Sequence, residues 1–179
     1  MLDIHAPLIL QGCTYFADKN VMKGSLLDNL QWSRPTAFFG APRVWEKIME
    51  KMLEKAREIT GLKKKISREA KRVGLKCNTE DRQSTMFKVF QKIYYTKVKT
   101  LLGLDQCSLF LTGAAPISRE VMNYFMSLDI KLTEVYGMSE SSGVHSGNLP
   151  GKIKFGSVGV TSDVTVKSKL VKVRLCTQL

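Results

Sequence analysis

The stretch Leu132-Thr133-Glu134-Val135-Tyr136-Gly137-Met138-Ser139-Glu140-Ser141-Ser142-Gly143 decides how this chain folds. Its first residues read as a β-strand, which stops abruptly in a small-residue, hydroxyl-rich loop carrying one carboxylate. An aromatic ring, a glycine, a hydroxyl and an acid follow one another from Tyr136 to Glu140. That combination suits a site for a flat ring, a phosphate and a divalent cation. About twenty residues earlier, Leu109-Phe110-Leu111-Thr112-Gly113-Ala114-Ala115-Pro116 has the same design, an apolar strand ending in a tight turn of small residues. Either loop alone reads equally well as an ordinary strand-to-helix turn. The pair points further, because loops at the carboxyl ends of neighbouring strands are where open α/β sheets bind ligands.

Between these two strands the sequence predicts a helix over 118–127. Strands over 108–112 and 130–135 then complete a β-α-β unit, with a parallel pairing, a right-handed crossover and both loops on one edge. Upstream, Thr36 to Phe39 reads as another buried strand, closed by Gly40. Pro42 suits the first position of a helix whose apolar stripe is Trp45, Ile48, Met49, Met52 and Ala56. Lys47–Glu50, Lys51–Glu54 and Lys55–Glu58 are spaced to pair on its wet face, and Gly61 is expected to end it. Ser25 is placed to cap a helix over Leu26, Leu27, Leu30 and Trp32 that Pro35 stops. Cys13 to Ala17 reads as a short strand, followed by a turn at Asp18-Lys19-Asn20. A basic helix over Ile66–Val73, a polar link from Asn78 to Ser84, and a helix from Met86 to Leu102 bearing Phe87, Phe90, Ile93, Tyr94 and Val98 fill the middle. Residues 2–12 read as an apolar segment. The chain after Ser146 reads as loop, and 164–175 as an alternating strand.

Composition narrows the class. Apolar residues at 44% and charged residues at 25% of 179 are ordinary for a globular domain with a real core. No apolar run approaches the roughly 20 residues of a membrane span, and the N-terminal segment lacks the pattern of a secretory signal. Cys13, Cys77, Cys107 and Cys176 are far apart, which argues against a zinc site or disulfide framework and fits reduced thiols in the cytoplasm. His5 and His145 are too isolated for a metal cluster or a catalytic base. The net charge of +12 is concentrated between Lys63 and Lys99 and from Lys167 to Arg174. Such an excess fits a solvated surface, an anionic membrane face or a polyanion. The aromatics of that region fall at helical spacing, as core residues do, so nucleic acid is not an expected partner.

Three separated blocks, in order, resemble a known family. Gly113-Ala114-Ala115-Pro116 followed by Tyr136-Gly137-Met138-Ser139-Glu140 resembles the acyl-adenylate-forming (AMP-binding) superfamily: acyl-CoA synthetases, luciferases and peptide-synthetase adenylation domains. Pro35-Thr36-Ala37-Phe38-Phe39-Gly40-Ala41-Pro42-Arg43-Val44-Trp45-Glu46-Lys47 resembles long-chain fatty acyl-CoA synthetases. Tyr15-Phe16-Ala17, Lys23-Gly24-Ser25-Leu26, and Lys97-Val98-Lys99 with Leu102-Gly103-Leu104 are most similar to the bubblegum-type branch. The resemblance covers residues 1–159, and 160–179 form a divergent basic tail.

The resemblance implies an α/β fold: part of the large N-terminal domain of such an enzyme, a mostly parallel sheet flanked by helices. It implies ATP, Mg²⁺ and CoA as cofactor and co-substrates, and a long-chain fatty acid activated to acyl-AMP and passed to CoA. Gly113, Ala114 and Ala115 would form one wall of the adenine slot and Tyr136 the other, with Gly137 and Met138 as floor. Ser139 would hydrogen-bond the α-phosphate and Glu140 would hold Mg²⁺, these two being the catalytic pair. Phe39, Gly40 and Trp45 would line the acyl tunnel, although Trp45 also belongs to a helix stripe and reads equally well as core. A cytoplasmic location is implied, with peripheral attachment at the endoplasmic reticulum membrane.

The family also carries an upstream Ser/Thr/Gly-rich phosphate loop, a downstream Thr-Gly-Asp block, an arginine and a lid with a catalytic lysine, none of which is recognisable here. After Phe155-Gly156-Ser157-Val158-Gly159 the family pattern breaks into Val160-Thr161-Ser162-Asp163. The chain is therefore expected to be an internal piece of such a synthetase, without turnover by itself. Two alternatives of other classes are a non-catalytic acyl- or nucleotide-binding module and a basic membrane-surface binder.

Overall fold

The computed structural model describes residues 11–19, 21, 24–80, 82, 84–141, 143–148 and 155–161. The strand expected over 164–175 and nearly all of the apolar segment over 2–12 lie outside them.

Five strands form one sheet in the order β1 (Ala37–Gly40), β2 (Leu109–Thr112), β3 (Leu132–Met138), β4 (Gly143–Gly147) and β5 (Val160–Thr161). The first two pairings are parallel, with Phe38 beside Phe110 and Phe110 beside Leu132. The last two are antiparallel, so the sheet is mixed. The expected β-α-β unit is present: helix α6 (Arg119–Met126) links β2 to β3 and is capped by Ser118, whose hydroxyl accepts the Val121 N–H at 3.3 Å. The antiparallel half is β4, which runs back along the end of β3 and pairs with β5 through Ser146 and Gly147; after Ser146 only Gly147 and the two-residue β5 depart from the expected loop among the described residues, since Asn148 and 155–159 are neither helix nor strand.

The core lies on the face of the sheet that carries Phe38, Phe110 and Leu132. Helix α2 (Pro42–Arg57) opens on Pro42, as expected, and lays Trp45 and Ile48 onto that face. Trp45 is at its centre, edge-on to Phe38 and Phe125 at 5.0 and 5.1 Å between centroids. Burying such a ring is a large apolar contribution. Helix α2 ends at Arg57, and Gly61 opens the next helix rather than closing this one. The three Lys–Glu pairs on its wet face do not close into ion pairs. Among the described residues, pairs form instead at Arg34–Asp105, Arg72–Glu69 and Lys99–Asp129.

Two helical expectations are corrected. Helix α3 spans Gly61–Glu80 without a break, where the sequence suggested Ile66–Val73 and a polar link. Gly74 and Asn78 are poor helix formers, but both have tertiary tasks. A Cβ on Gly74 would lie 2.3 Å from the Ser127 carbonyl, and the Asn78 amide donates to the Met126 carbonyl at 2.8 Å. The following helix starts at Thr85, capped by Ser84, and runs as α4 (Thr85–Phe90), a π turn (Gln91–Tyr95) and α5 (Thr96–Leu102). A π turn holds one residue more than the α turn it replaces, which rotates the rest of the helix by about 100°. Tyr95 and Leu102 therefore face inward, while Ile93, expected on the apolar side, is exposed. The Tyr95 hydroxyl donates to the Ala70 carbonyl at 2.6 Å, joining the π turn to α3 in a second core with Phe87 and Phe90.

Near the N-terminal side, Cys13–Ala17 is not a strand, and its residues are largely exposed. The turn at Asp18 is present, with the Val21 N–H donating to the Asp18 carbonyl at 3.2 Å. Helix α1 (Leu26–Ser33) follows Ser25, whose hydroxyl donates to the Asp18 carboxylate at 2.9 Å instead of capping, and Trp32 faces solvent. No described helix is long and apolar enough to cross a membrane. The described cysteines Cys13, Cys77 and Cys107 are free, and burial pushes the Cys107 thiol up to about 11, which keeps it protonated and inert.

Candidate nucleotide site at the carboxyl edge of the sheet

Parallel strands β2 and β3 end on the same edge, so their loops are brought side by side. Thr112 is the register partner of Glu134, which places Gly113 next to Val135. A Cβ added at Gly113 would lie 2.8 Å from the Val135 carbonyl oxygen, so the loop enters in van der Waals contact with β3 and only glycine fits. Ala114 follows with φ 69°, a left-handed conformation that turns the chain sharply out of the sheet. Ala114 and Ala115 are exposed, with methyl groups as their only side chains.

On the neighbouring strand, Tyr136 is opposite Ser146 and is 44% exposed. The β3–β4 register shifts between Tyr136 and Gly137, a bulge of the kind that re-aims a side chain. Gly137 allows it: a Cβ there would lie 2.0 Å from the Gly143 carbonyl oxygen, inside the partner strand's backbone. Met138 is also exposed. Ser139 and Glu140 follow on a single 3₁₀ turn, both exposed, and Glu140 makes no ion pair among the described residues. The edge thus presents a wall of methyl groups, a half-exposed phenol ring, a hydroxyl and an exposed carboxylate. A planar heterocycle could stack on the ring, a phosphate could accept from the hydroxyl, and a hard cation could take the carboxylate. Among the described residues no cluster of three His, Cys, Asp or Glu side chains could hold a metal by itself.

The three acyl-side residues are separated by the sheet. Trp45 is 0% exposed, and its indole N–H is shared between the carbonyls of Gly40 and Leu111 at 3.1 and 3.3 Å. It clamps the ends of β1 and β2 from the core side. Gly40 is buried against that indole, 3.1 Å from where its Cβ would be. Phe39 points to the opposite, open face, where Leu109 is also exposed and where the Phe39 ring approaches Gly113.

One residue of the site carries no sequence motif and was not expected there. Glu134 precedes Tyr136 by two positions on β3 and is only 8% exposed. Burial raises the pKa of its carboxyl, against a smaller opposing effect of the Ile117 backbone N–H. The signal was a lone acid at an inward position, two residues after buried Leu132.

Comparison with known proteins then places the chain. A model described as AMP-binding enzyme matches residues 1–174. The chain belongs to the AMP-binding enzyme family. Among curated members, it is similar to "Long-chain-fatty-acid--CoA ligase ACSBG2" of Gallus gallus, 43% identical over 164 residues, which are 89% of this chain and 22% of that protein. The Homo sapiens protein of the same name is 39% identical over 151 residues, 82% of this chain and 23% of the relative. "Long-chain-fatty-acid--CoA ligase heimdall" of Drosophila melanogaster is 32% identical over 182 residues, 93% and 26%. The chain thus spans about a quarter of the length of these relatives. Among solved structures, the A domain of carboxylic acid reductase from Segniliparus rugosus, in complex with AMP and a co-purified carboxylic acid, aligns over 76% of this chain and 18% of its own, at 20% identity and a TM-score of 0.43.

Proposed function

We propose that this AMP-binding family chain contributes one half of the nucleotide site of a long-chain fatty acid–CoA ligase, an acid–thiol ligase. The complete reaction would activate a long-chain fatty acid with ATP to acyl-AMP and transfer the acyl group to CoA. The observation that carries the reading is the exposed constellation at one sheet edge: Ala114 and Ala115, which follow buried Gly113 at the end of β2, and Tyr136 to Glu140 on the end of β3. Methyl-sized residues let a purine approach the first loop, and the half-exposed Tyr136 ring offers a stacking face across from it. Gly137 and Met138 floor the slot, and Ser139 is placed to donate to an α-phosphate oxygen.

The exposed Glu140 carboxylate, without an ion pair among the described residues, fits Mg²⁺, which would be held there together with phosphate oxygens. When bound, that ion neutralises charge as pyrophosphate leaves. Phe39 on the open face is the apolar surface along which an acyl chain leaving this site would run, at roughly 0.8 kcal/mol per buried CH₂. Trp45 supports that surface from behind, by fixing the ends of β1 and β2. The chain by itself is expected to give no fatty-acid-dependent pyrophosphate release.

The test is equilibrium binding of a non-hydrolysable palmitoyl-adenylate analogue to the purified chain. Binding that needs both the adenosine and the alkyl parts supports the reading. Alkyl binding that is indifferent to the nucleotide would replace it with an acyl-binding module.

A cytoplasmic location with peripheral membrane contact is proposed alongside, on a separate observation. Leu62 is 78% exposed at the start of α3, beside exposed Ile59 and Ile66 and interleaved with Lys63, Lys64, Lys65 and Arg68. Apolar side chains set among cations suit an anionic lipid surface. Co-sedimentation with phosphatidylserine vesicles, lost in Leu62→Ser/Ile66→Ser, supports it; equal recovery with phosphatidylcholine vesicles contradicts it.

A further inference from the structure

On the open face of the sheet, Phe39 and the start of the alanine loop lie against each other. Phe39 of β1 is in register with Leu111 of β2, two positions before Gly113. Its ring is 3.5 Å from where a Cβ on Gly113 would stand. Burial does not fix that spacing, because Phe39 is 43% exposed. Strand pairing holds it only in part. Among the described residues β1 pairs with β2 alone, and that ladder stops at Gly40 and Thr112, just before the two chains diverge into α2 and the alanine loop.

On the covered face, one donor spans both strands at that point. The Trp45 indole N–H is shared between the Gly40 carbonyl of β1, at 3.1 Å, and the Leu111 carbonyl of β2, at 3.3 Å. Gly40 follows Phe39, and Leu111 precedes Gly113 by two, so each acceptor sits beside one of the groups that meet on the open face. The indole body is packed edge-on by Phe38, Phe110 and Phe125, and another apolar side chain could fill such a place. What the indole adds is a donor, and a buried donor is held to its acceptors by the cost of leaving them unpaired. Gly40 keeps that approach close, since a Cβ there would crowd the indole nitrogen at 3.1 Å.

We propose that Trp45 is a positioning residue: by bridging the Gly40 and Leu111 carbonyls, its N–H holds the carboxyl ends of β1 and β2 at one separation and so sets the Phe39 ring against the Gly113 loop, linking the acyl surface to the alanine wall. Trp45 itself is sealed behind the sheet and touches no ligand. The consequence for binding rests on the nucleotide reading, whereas the clamp is a property of the free chain, and the two are separable by experiment.

The test removes the donor and keeps the ring. Trp32 and Trp45 are the two tryptophans, and Trp32 is exposed. In a full chain carrying Trp32→Phe, Trp45 is replaced by benzothienylalanine, which has the shape of tryptophan with sulfur in place of the N–H. The readouts are the NOE between the Phe39 ring and the Gly113 α-protons without ligand, and affinity for the palmitoyl-adenylate analogue and for AMP. The NOE should be present with tryptophan and lost with the isostere, while the melt stays cooperative. The isostere should bind the palmitoyl-adenylate analogue about tenfold more weakly and AMP within about threefold of the parent. In a Phe39→Ala background the isostere should cost the analogue less than about twofold, because the two changes act through one contact. In the unsubstituted chain, the analogue should shift the Trp45 indole N–H resonance and leave that of Trp32 in place.

An NOE that survives the isostere would overturn the clamp, as would its absence from the tryptophan chain. A loss of affinity as large in Phe39→Ala as in the parent, or one that merely tracks a lowered melting temperature, would overturn the positioning role by reducing Trp45 to a core residue. If the isostere does not fold, an unmoved Trp45 indole resonance in the unsubstituted chain saturated with analogue overturns the link. If the unsubstituted chain ignores the analogue, the nucleotide reading fails, while the NOE still decides the clamp.

Discussion

Trp45 with Gly40 and Tyr136 with Gly137 are two versions of the same pairing, an aromatic ring and a glycine at the carboxyl end of a parallel strand. Trp45 is fully buried, with its N–H satisfied by two strand carbonyls and its edges packed on Phe38 and Phe125. Tyr136 is nearly half exposed, held there by a register shift that only Gly137 permits. The first pairing uses the glycine to let a ring close over the backbone. The second uses it to let another strand's backbone close in while the ring stays out. Aromatic residues of similar size thus divide between stability and recognition according to which side of the glycine is filled.

The sharpest way to break the comparison is Trp45→Ala. It should destabilise the chain by about 3–5 kcal/mol, much of the stability of an ordinary domain, and denaturant titration should register loss of the cooperative transition. Gly137→Ala should come next, at about 1–3 kcal/mol by overpacking, because a methyl there meets backbone and not a flexible side chain. Circular dichroism melts measure it, and a melt matching the original chain would show that the close β3–β4 approach is not obligatory.

Tyr136→Ala should leave stability within about 0.5 kcal/mol but weaken the adenylate analogue about tenfold, the value of one stacking face. Equal calorimetric affinities would dissolve the contrast between the rings. The smallest effect concerns pH. The Glu134 carboxyl is raised in the folded chain by burial, so the folded state binds more protons than the unfolded state around and above the ordinary carboxylate pKa. Stability contributed by this group is therefore lost as pH rises through that window. Glu134→Gln should be relatively more stable than the original chain near neutral pH, with the gap closing as pH falls below the ordinary carboxylate range. A gap that does not move with pH would contradict the burial effect.

The parallel half of the fold was legible because its signals are local. Apolar runs bounded by Gly40 and Gly113, and Pro42 at a helix start, state their structure within a few residues. What escaped was set by distant contacts. Gly74 and Asn78 read as a broken helix because their reasons for being helical are the Ser127 and Met126 carbonyls, which belong to another element. The π turn is invisible to a fixed helical period, which puts Ile93 inward where Tyr95 belongs. Strand β4 is built from Gly143, Val144, His145, Ser146 and Gly147, a composition with little strand character, and its pairing comes from β3.

The site was legible as residue types but not as a division of labour. Tyr136, Ser139 and Glu140 are exposed together at one edge. The acyl-side residues turned out to lie on opposite faces of the sheet, with Phe39 open and Trp45 closed. Glu134 is not legible in the sequence, because an acid inside a strand has no motif of its own.

The most direct measurement is a thermal melt of the purified chain and of Tyr136→Ala, each with and without the palmitoyl-adenylate analogue. Both should unfold cooperatively at nearly the same temperature without ligand, and the analogue should raise only the chain that keeps Tyr136. A cooperative transition indifferent to the analogue, or one raised equally in both, would contradict the claim that this sheet edge is half of a nucleotide site.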